Sequence, residues 1–151
     1  MTNATQLHYY ETNMETAEII KKLRDNGFKI TKIRKSIINH LTNCKSPVSV
    51  KELLNELKIL GTKANKSTIY REMKFLKDNS YIVETQFEDR KKRFEISSDH
   101  HHHLVCEICG RIQKAKDCLV SKIEKRIKAN QGFLVKKHRL EFFGVCSICQ
   151  H

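Results

Sequence analysis

Residues 66–96 read KSTIYREMKFLKDNSYIVETQFEDRKKRFEI, and this stretch decides the fold of the first half of the chain. Apolar residues recur at helical spacing in its first part, which predicts a helix over 66–78. Alternation over 81–87 and 93–96 then predicts two strands, with 88–91 as the turn between them. A helix followed at once by a hairpin is typical of a winged helix-turn-helix, whose last helix is the recognition helix.

Three further helices are predicted upstream of this stretch. The first covers 15–25 and stops at Gly27, and the second begins after Thr31, a plausible N-cap. Ser49 and Glu52 have the spacing of a capping box and start the third helix. Short helices followed by a hairpin therefore predict a winged helix-turn-helix in the N-terminal part.

The outer face of the fourth helix carries residues suited to DNA. Hydroxyl groups at a helix start can bind phosphate beside the free backbone N–H groups, and Tyr70 and Arg71 can reach base edges in a major groove. The alternative is an ordinary amphipathic helix with a charged outer face. The candidate DNA contacts on this helix are Lys66, Ser67, Thr68, Tyr70, Arg71 and Lys74.

Positive charge is concentrated in the same region. The whole chain has a net charge of +12, and 15 Lys and Arg stand against 4 Asp and Glu between Lys21 and Lys77. A basic block confined to one segment is typical of nucleic-acid binding, although a solvated Lys-rich surface is the alternative.

No apolar run has the length of a membrane span and no signal peptide opens the sequence, so we expect a cytoplasmic protein.

A second unit is predicted from residue 99 onward. Strands over 100–106 and 111–115 are followed by a helix over 118–130 and a strand over 133–145. This β-β-α-β order indicates a small α/β unit. The expected fold class is α+β, a winged helix-turn-helix followed by this smaller unit.

Two Cys-x-x-Cys pairs lie at the two ends of the second unit, Cys106 with Cys109 and Cys146 with Cys149. Four thiolates in two close pairs form the ligand set of a structural, tetrahedral Zn²⁺. Two separate disulfides are the weaker alternative, because a Cys-x-x-Cys disulfide closes too small a loop to stabilise much. The spacing therefore predicts a Zn(Cys)4 site that joins the ends of the unit.

Four consecutive histidines, His100 to His103, precede the first cysteine pair. On a strand, His101 and His103 share one face and the other two share the opposite face, so two sites are possible. Glu95 and His138 are the natural additional ligands, and imidazole does not select among zinc, iron, manganese, copper and nickel.

A metalloenzyme with Glu95 as general base is the rival from another class, but no HExxH motif is present. We expect no catalytic residues and no small-molecule substrate.

Taken together, these segments resemble the ferric uptake regulator family of metal- and peroxide-responsive repressors, over roughly residues 15 to 150. The resemblance rests on short motifs spread along both units. They are Phe28-Lys-Ile-Thr-Lys-Ile-Arg34, Ser67-Thr-Ile-Tyr-Arg71, Phe94-Glu95, His100-His-His-His-Leu-Val-Cys-Glu-Ile-Cys-Gly110, His138-Arg-Leu-Glu141 and Gly144-Val-Cys-Ser-Ile-Cys149.

The resemblance implies a homodimer that binds a palindromic operator in double-stranded DNA. It implies an N-terminal arm over 1–14, a DNA-binding domain over 15–97 and a metal-binding dimerisation domain over 98–151. It assigns structural zinc to the four cysteines of the two pairs. The implied regulatory ligands for Fe²⁺, Mn²⁺ or Zn²⁺ are Glu95, His101 and His103, with His100, His102 and His138 at or beside a second site. The implied DNA contacts outside the recognition helix are Lys29, Thr31 and Arg34.

The sequence departs from the family pattern near the regulatory ligands. The linker 44–49 has no histidine, Lys114 stands in the stretch where an acidic residue is usual, and Ser121 replaces a helical carboxylate, with Glu124 one turn further on. His8 and Glu11 of the arm are possible substitutes. Three alternatives to a working metal sensor stay open: peroxide sensing through bound Fe(II), a constitutive zinc-stabilised DNA binder, and a zinc-ribbon adaptor without sensing.

Overall fold

The computed structural model describes residues 16–97, 101–115 and 120–150. It divides into two compact units, Met1–Ser97 and Ser98–His151. The predicted arm over 1–14 and His100 lie outside the described residues. Among the helices that are described, none combines the length and the apolar character that crossing a bilayer requires.

Four helices form most of the first unit, and their N-caps follow the local sequence. The Thr31 side chain accepts from the Arg34 backbone N–H, and Ser49 and Glu52 form the reciprocal capping box that the sequence predicts. Asn65 caps the recognition helix through the backbone N–H of Thr68. The helices are α1 (described over 16–25), α2 (Lys32–Asn43), α3 (Val50–Ile59) and α4 (Lys66–Asp78).

The first unit also contains a three-stranded antiparallel sheet in the order β1-β3-β2. Strands β2 (Ile82–Gln86) and β3 (Lys92–Ile96) form the predicted hairpin, called the wing below. Strand β1 (Val48–Ser49) was not predicted, because two residues leave no alternating pattern in the sequence. Its pairing with β3, Val48 opposite Phe94, exists only because the chain folds back beside the wing.

Apolar side chains of all four helices, together with β2 and β3, meet in one core. The helix stripes have the expected 3.6-residue period, so each helix buries one face. The buried members of this core are Ile20, Leu23, Ile37, Ile38, Leu41, Val50, Leu53, Leu57, Ile69, Met73, Leu76, Ile82 and Phe94.

The second unit is a three-stranded sheet in the order β5-β4-β6 with one helix in the connection. Strand β4 pairs antiparallel with β5 and parallel with β6. The predicted strand over 133–145 was too long: only its end is a strand, because pairing with the short β4 covers four residues. The elements are β4 (His102–Cys106), β5 (Ile112–Ala115), α5 (Val120–Gln131) and β6 (Glu141–Gly144).

This second unit buries few side chains of its own. Among its described residues only His102, His103 and Cys106 are buried, and α5 buries none. A domain of this size needs a further staple or a partner to be stable. Its exposed large apolar residues are Leu104, Ile108, Ile123, Phe133, Leu134, Phe142, Phe143, Val145 and Ile148.

Candidate metal centre and nucleic-acid interface

The sheet of the second unit brings the two cysteine pairs together. Strand β4 ends at Cys106, and the segment after β6 carries Cys146, because Gly144 is the register partner of Cys106. The four sulfur atoms all lie within 4.8 Å of one another, and Cys109 Sγ is 3.8 Å from Cys146 Sγ. A tetrahedral Zn²⁺ with sulfur bonds of about 2.3 Å has sulfur–sulfur edges of about 3.8 Å. The donor set and its spacing therefore fit zinc.

Backbone N–H groups turn the sulfur atoms toward one another. The Cys146 N–H donates to Cys106 Sγ at 3.4 Å, and the two turns close through Gly110 N–H to Cys106 O and Cys149 N–H to Cys146 O, both at 2.9 Å. The backbone amide of Cys109, followed by that of Cys146, lowers the pKa of the Cys106 thiol to about 6. Cys106 therefore becomes a thiolate more easily than an isolated cysteine does.

Two other cysteines of the cluster have pKa values that are shifted in opposite directions. The pKa of Cys146 is lowered, chiefly by the backbone amide of Cys149. In contrast, hydrogen bonds to the sulfurs of Cys146 and Cys109 raise the pKa of Cys149 to about 12. Four sulfurs this close can all be thiolates only beside a cation, which a divalent metal supplies. None of the cysteines in the described ranges forms a disulfide.

The described histidines of the 100–103 run separate into two groups, as strand alternation predicts. The His101 and His103 rings lie 5.0 Å apart at 82°, while the His102 ring lies 5.3 Å from the ring of His138. His138 Nδ1 is 2.8 Å from a carboxylate oxygen of Glu124 on α5. Glu124 lies one helical turn after Ser121, the residue that stands where the family has a helical carboxylate. The carboxylate of Glu124 therefore lies beside His138.

Glu95 and Lys114 are the other residues that bear on the regulatory site. Glu95 is buried in β3 of the first unit, opposite Val83 of β2, whereas the histidines belong to the second unit. Lys114 is the register partner of His103 across β4 and β5. An ammonium group is no metal ligand at neutral pH, so this neighbour of His103 does not replace the missing carboxylate. The ligand set Glu95, His101 and His103 stays a prediction.

The recognition helix presents its polar face as the sequence predicts. Tyr70 is 47% exposed, and the side chains of Lys66, Ser67, Arg71 and Lys74 are exposed beside it. Lys66 Nζ lies 5.8 Å from the centre of the Tyr70 ring, and Lys74 pairs with Asp78 at 2.6 Å. Thr68 is half-buried, and its backbone N–H donates the N-cap hydrogen bond to the side-chain oxygen of Asn65. The face is basic and free of apolar side chains other than the Tyr70 ring.

An open cleft next to this face adds basic residues that the sequence reasoning did not assign to DNA. The cleft has a volume of about 580 Å³ and is lined by Tyr70, by Lys51 of α3 and by Lys91 and Lys92 of the wing, among others. The basic run RKKR at the wing turn was the signal in the sequence that could have found them. The recognition helix and the wing therefore border one positively charged concavity.

Among the predicted DNA contacts, Arg34 has the surroundings least suited to a phosphate contact. Its residue is only 8% exposed, and its guanidinium binds Glu72 and the carbonyl oxygen of Lys29. This burial argues against the predicted contact. The spacing of Arg34 with Ile37, Ile38 and Leu41 (i, i+3, i+4, i+7) places it on the apolar stripe of α2, a signal the sequence contained. Lys29 is exposed, and the Thr31 hydroxyl is used as the N-cap of α2.

Known proteins are similar to this chain along most of its length. A model of the ferric uptake regulator family matches residues 25–143. The peroxide-responsive repressor PerR of Staphylococcus aureus (strain Mu50 / ATCC 700699) is 30% identical over 136 residues, which cover 90% of this chain and 92% of that protein.

Solved structures agree with the fold. The ferric uptake regulator of Vibrio cholerae is 32% identical, superposes with a TM-score of 0.72, and the match covers 83% of this chain and 98% of that one. The Helicobacter pylori ferric uptake regulator has the same fold at 21% identity, with a TM-score of 0.77 and coverage of 93% and 94%. The predicted fold class, a winged helix followed by a small α/β domain, is confirmed. The chain belongs to the ferric uptake regulator family.

Proposed function

We propose that this protein is a metal-responsive, DNA-binding transcriptional regulator of the ferric uptake regulator type, acting as a repressor of metal-uptake or oxidative-stress genes in the cytoplasm. The observation that carries the proposal is the pairing, in one chain, of an exposed basic recognition helix with a four-cysteine cluster. Regulators, unlike metalloenzymes, need no catalytic base at the metal, and we assign none here.

The DNA-binding part of the proposal is supported by the polar face of α4. Asn65 fixes the start of the helix, so that Ser67 and Thr68 meet phosphate while Tyr70 and Arg71 enter the major groove. Lys66, Lys74 and Lys29 supply further positive charge to the backbone, and Thr31 contributes by fixing the start of α2. The phosphate contacts set the position on the duplex and Arg71 reads a base.

The structural metal of the proposal is Zn²⁺ held by Cys106, Cys109, Cys146 and Cys149. When bound, it supplies a positive charge and a cross-link between the two ends of the second unit, with no open position for chemistry. Support comes from the closeness of the four sulfurs, which can all be thiolates only beside a cation. This metal holds the domain together and does not report a signal.

The regulatory metal is Fe²⁺, Mn²⁺ or Zn²⁺ at Glu95, His101 and His103. A carboxylate and two imidazoles bind each of these ions. If the metal binds the conformation that is able to bind DNA more tightly than the conformation that is not, it shifts the population toward the first. His102 and His138, with Glu124 beside them, form the second candidate group, to which the resemblance adds His100.

A homodimer completes the proposal. The second unit leaves Leu104, Phe142 and Phe143 exposed on its sheet, and α5 buries no side chain in its own chain. A two-fold partner would cover these groups, and the symmetry would be matched by a palindromic operator.

The test begins with protein purified without added metal, whose metal content per chain is measured. DNA fragments selected from a random pool are then bound in fluorescence anisotropy, with and without a chelator that removes the weaker metal only. We expect one tight zinc, one exchangeable ion and tighter binding when the second ion is present. An affinity for DNA that is the same with and without the second ion would identify a constitutive binder with a degenerate sensor.

Matched variants test the DNA face itself. Arg71→Ala is expected to lose about 1–3 kcal/mol of discrimination at one base pair. Lys58→Ala, an exposed change near the end of α3, is the control and should leave sequence discrimination unchanged. Equal behaviour of both variants would remove α4 from the interface.

Peroxide sensing through bound Fe(II) is the second candidate, favoured by the 30% identity to a peroxide-responsive repressor. In such a sensor, Glu95, His101 and His103 would hold Fe(II), which would supply the redox centre for peroxide. One peroxide oxygen would be added to a histidine ligand and the other would leave as water. Mass spectrometry of Fe(II)-loaded protein after peroxide treatment should then find one added oxygen atom in the peptide that contains His101 and His103. An unmodified peptide after full loading would exclude this mechanism.

A further inference from the structure

Arg34 makes contacts with two different parts of the first unit. Arg34 Nε donates to Glu72 Oε2 at 2.8 Å, and Nη2 reaches Glu72 Oε1 at 3.4 Å. Arg34 Nη1 donates to the backbone oxygen of Lys29 at 2.6 Å. The guanidinium carbon also lies 3.8 Å from the centre of the Phe75 ring. One side chain thus uses its forked donors and its flat face at once, which lysine cannot do.

The partners of Arg34 belong to two segments that carry proposed DNA contacts. Glu72 and Phe75 are on α4, and Glu72 directly follows Arg71. Lys29 lies in the loop between α1 and α2, with its own side chain exposed. Phe28 in that loop packs edge to face on Phe75 at 5.0 Å, so the loop and α4 are joined twice.

The ion pair between Arg34 and Glu72 is largely shielded from water, so each charge needs the other as its partner. The side chains of Arg34 and Glu72 are 10% and 17% exposed. Removing one partner of such a pair leaves a buried charge and is more disruptive than removing a surface pair. Two long polar side chains with low exposure also have few alternative rotamers, so the distance between their backbones is well defined.

We propose that Arg34 is a positioning residue for DNA recognition: through Glu72 and the Lys29 carbonyl, it sets the distance between the Lys29 side chain and the recognition helix. A phosphate contact from Lys29 and a base contact from Arg71 then fall in register on one duplex. Arg34 itself does not touch DNA. The inference rests on the proposed DNA binding and adds how the two contacts are kept in register.

A double-mutant cycle in DNA binding tests this coupling. Lys29→Ala alone should weaken binding and reduce the slope of log K against log salt by about 0.9, one phosphate contact. Glu72→Gln keeps the size of the side chain and removes its charge. In the Glu72→Gln background, the fold-loss of DNA affinity caused by Lys29→Ala, called its penalty below, should shrink by a factor of about three or more. The reason is that the Lys29 ammonium is no longer held in register.

Lys91→Ala is the matched control, since it removes a lysine from the wing, which Arg34 does not touch. Its penalty should be the same in both backgrounds. Equal penalties for Lys29→Ala with and without Glu72→Gln would overturn the proposal. Binding is compared at a temperature where circular dichroism finds each variant folded. Arg34→Lys, which keeps the charge and loses the fork, is the second variant and should reduce the Lys29 penalty in the same way.

The wild-type protein gives a readout that depends on no variant. The ¹⁵N resonance of Arg34 Nε should keep a slowly exchanging proton and the same shift in free and DNA-bound protein. A large shift on adding DNA would show direct contact and overturn the proposal. Wild-type protein that fails to discriminate among DNA sequences would instead refute the proposed function, so the two failures are distinguishable.

Discussion

Removing the metal from the four-cysteine cluster is expected to unfold the second unit and leave the first unit folded. The perturbation is either extraction of zinc by a strong chelator or the substitution Cys146→Ser. The reason is the unequal distribution of buried groups: thirteen apolar side chains fill the core of the first unit, whereas α5 of the second unit buries none. The second unit therefore depends on the cross-link.

The magnitude follows from loop closure. Cys109 and Cys146 are 37 positions apart along the chain. A cross-link across that separation removes about 4 kcal/mol of entropy from the unfolded state, in the chain-entropy model used for disulfides. A unit the size of Ser98–His151 has a total stability of about 3 to 8 kcal/mol at typical values per residue. Loss of the metal therefore removes half or more of the free energy of unfolding.

Hydrogen exchange read by mass spectrometry resolves the two units. After metal extraction at a fixed protomer concentration, amides of β4, β5 and β6 should lose protection while those of α2, α3 and α4 keep theirs. Cys44→Ser is the control, because this thiol lies outside the cluster and should change neither metal content nor exchange. Retained protection of β4 in protein shown to be metal-free would refute the reasoning.

Three further predictions concern the first unit. The hydrogen bond to Lys77 is the largest cause that lowers the pKa of the Glu84 carboxyl, so the stabilisation from Glu84 is full at neutral pH and is lost as the pH falls through the lowered pKa. Glu84→Gln should cost at most about 1 kcal/mol in urea titrations at pH 7, and the cost should shrink steadily as the pH is lowered through the acid range. Leu53→Ala removes a fully buried side chain and should lower the free energy of unfolding by about 2–5 kcal/mol, as measured by the same titration. Burial first, and the charge of Glu56 second, raise the pKa of the Cys44 thiol, so it should react with a disulfide reagent at pH 7 more slowly than free cysteine; a rate equal to that of free cysteine would contradict this placement.

Much of the fold could be predicted because its signals are local. The capping box of Ser49 and Glu52 and the N-cap at Thr31 each depend on residues three positions apart, and both are present. The 3.6-residue stripe gave the inward faces of the helices in the first unit. The Cys-x-x-Cys spacing fixes each pair of sulfurs, because the turn that holds it is closed by its own backbone hydrogen bonds.

The sequence by itself thus determined the helices and the hairpin of the first unit, the cysteine pairs and the basic face of α4, since each depends on neighbours along the chain. Only the tertiary structure decided what depends on distant residues: that Glu72 is the partner of the Arg34 guanidinium and that Lys114 lies opposite His103. The extent of β6 was also decided there, by the short strand it pairs with. A side chain with charge and length can reach solvent, DNA or a buried carboxylate, and the choice is made by whichever partner the folded chain brings within hydrogen-bonding distance.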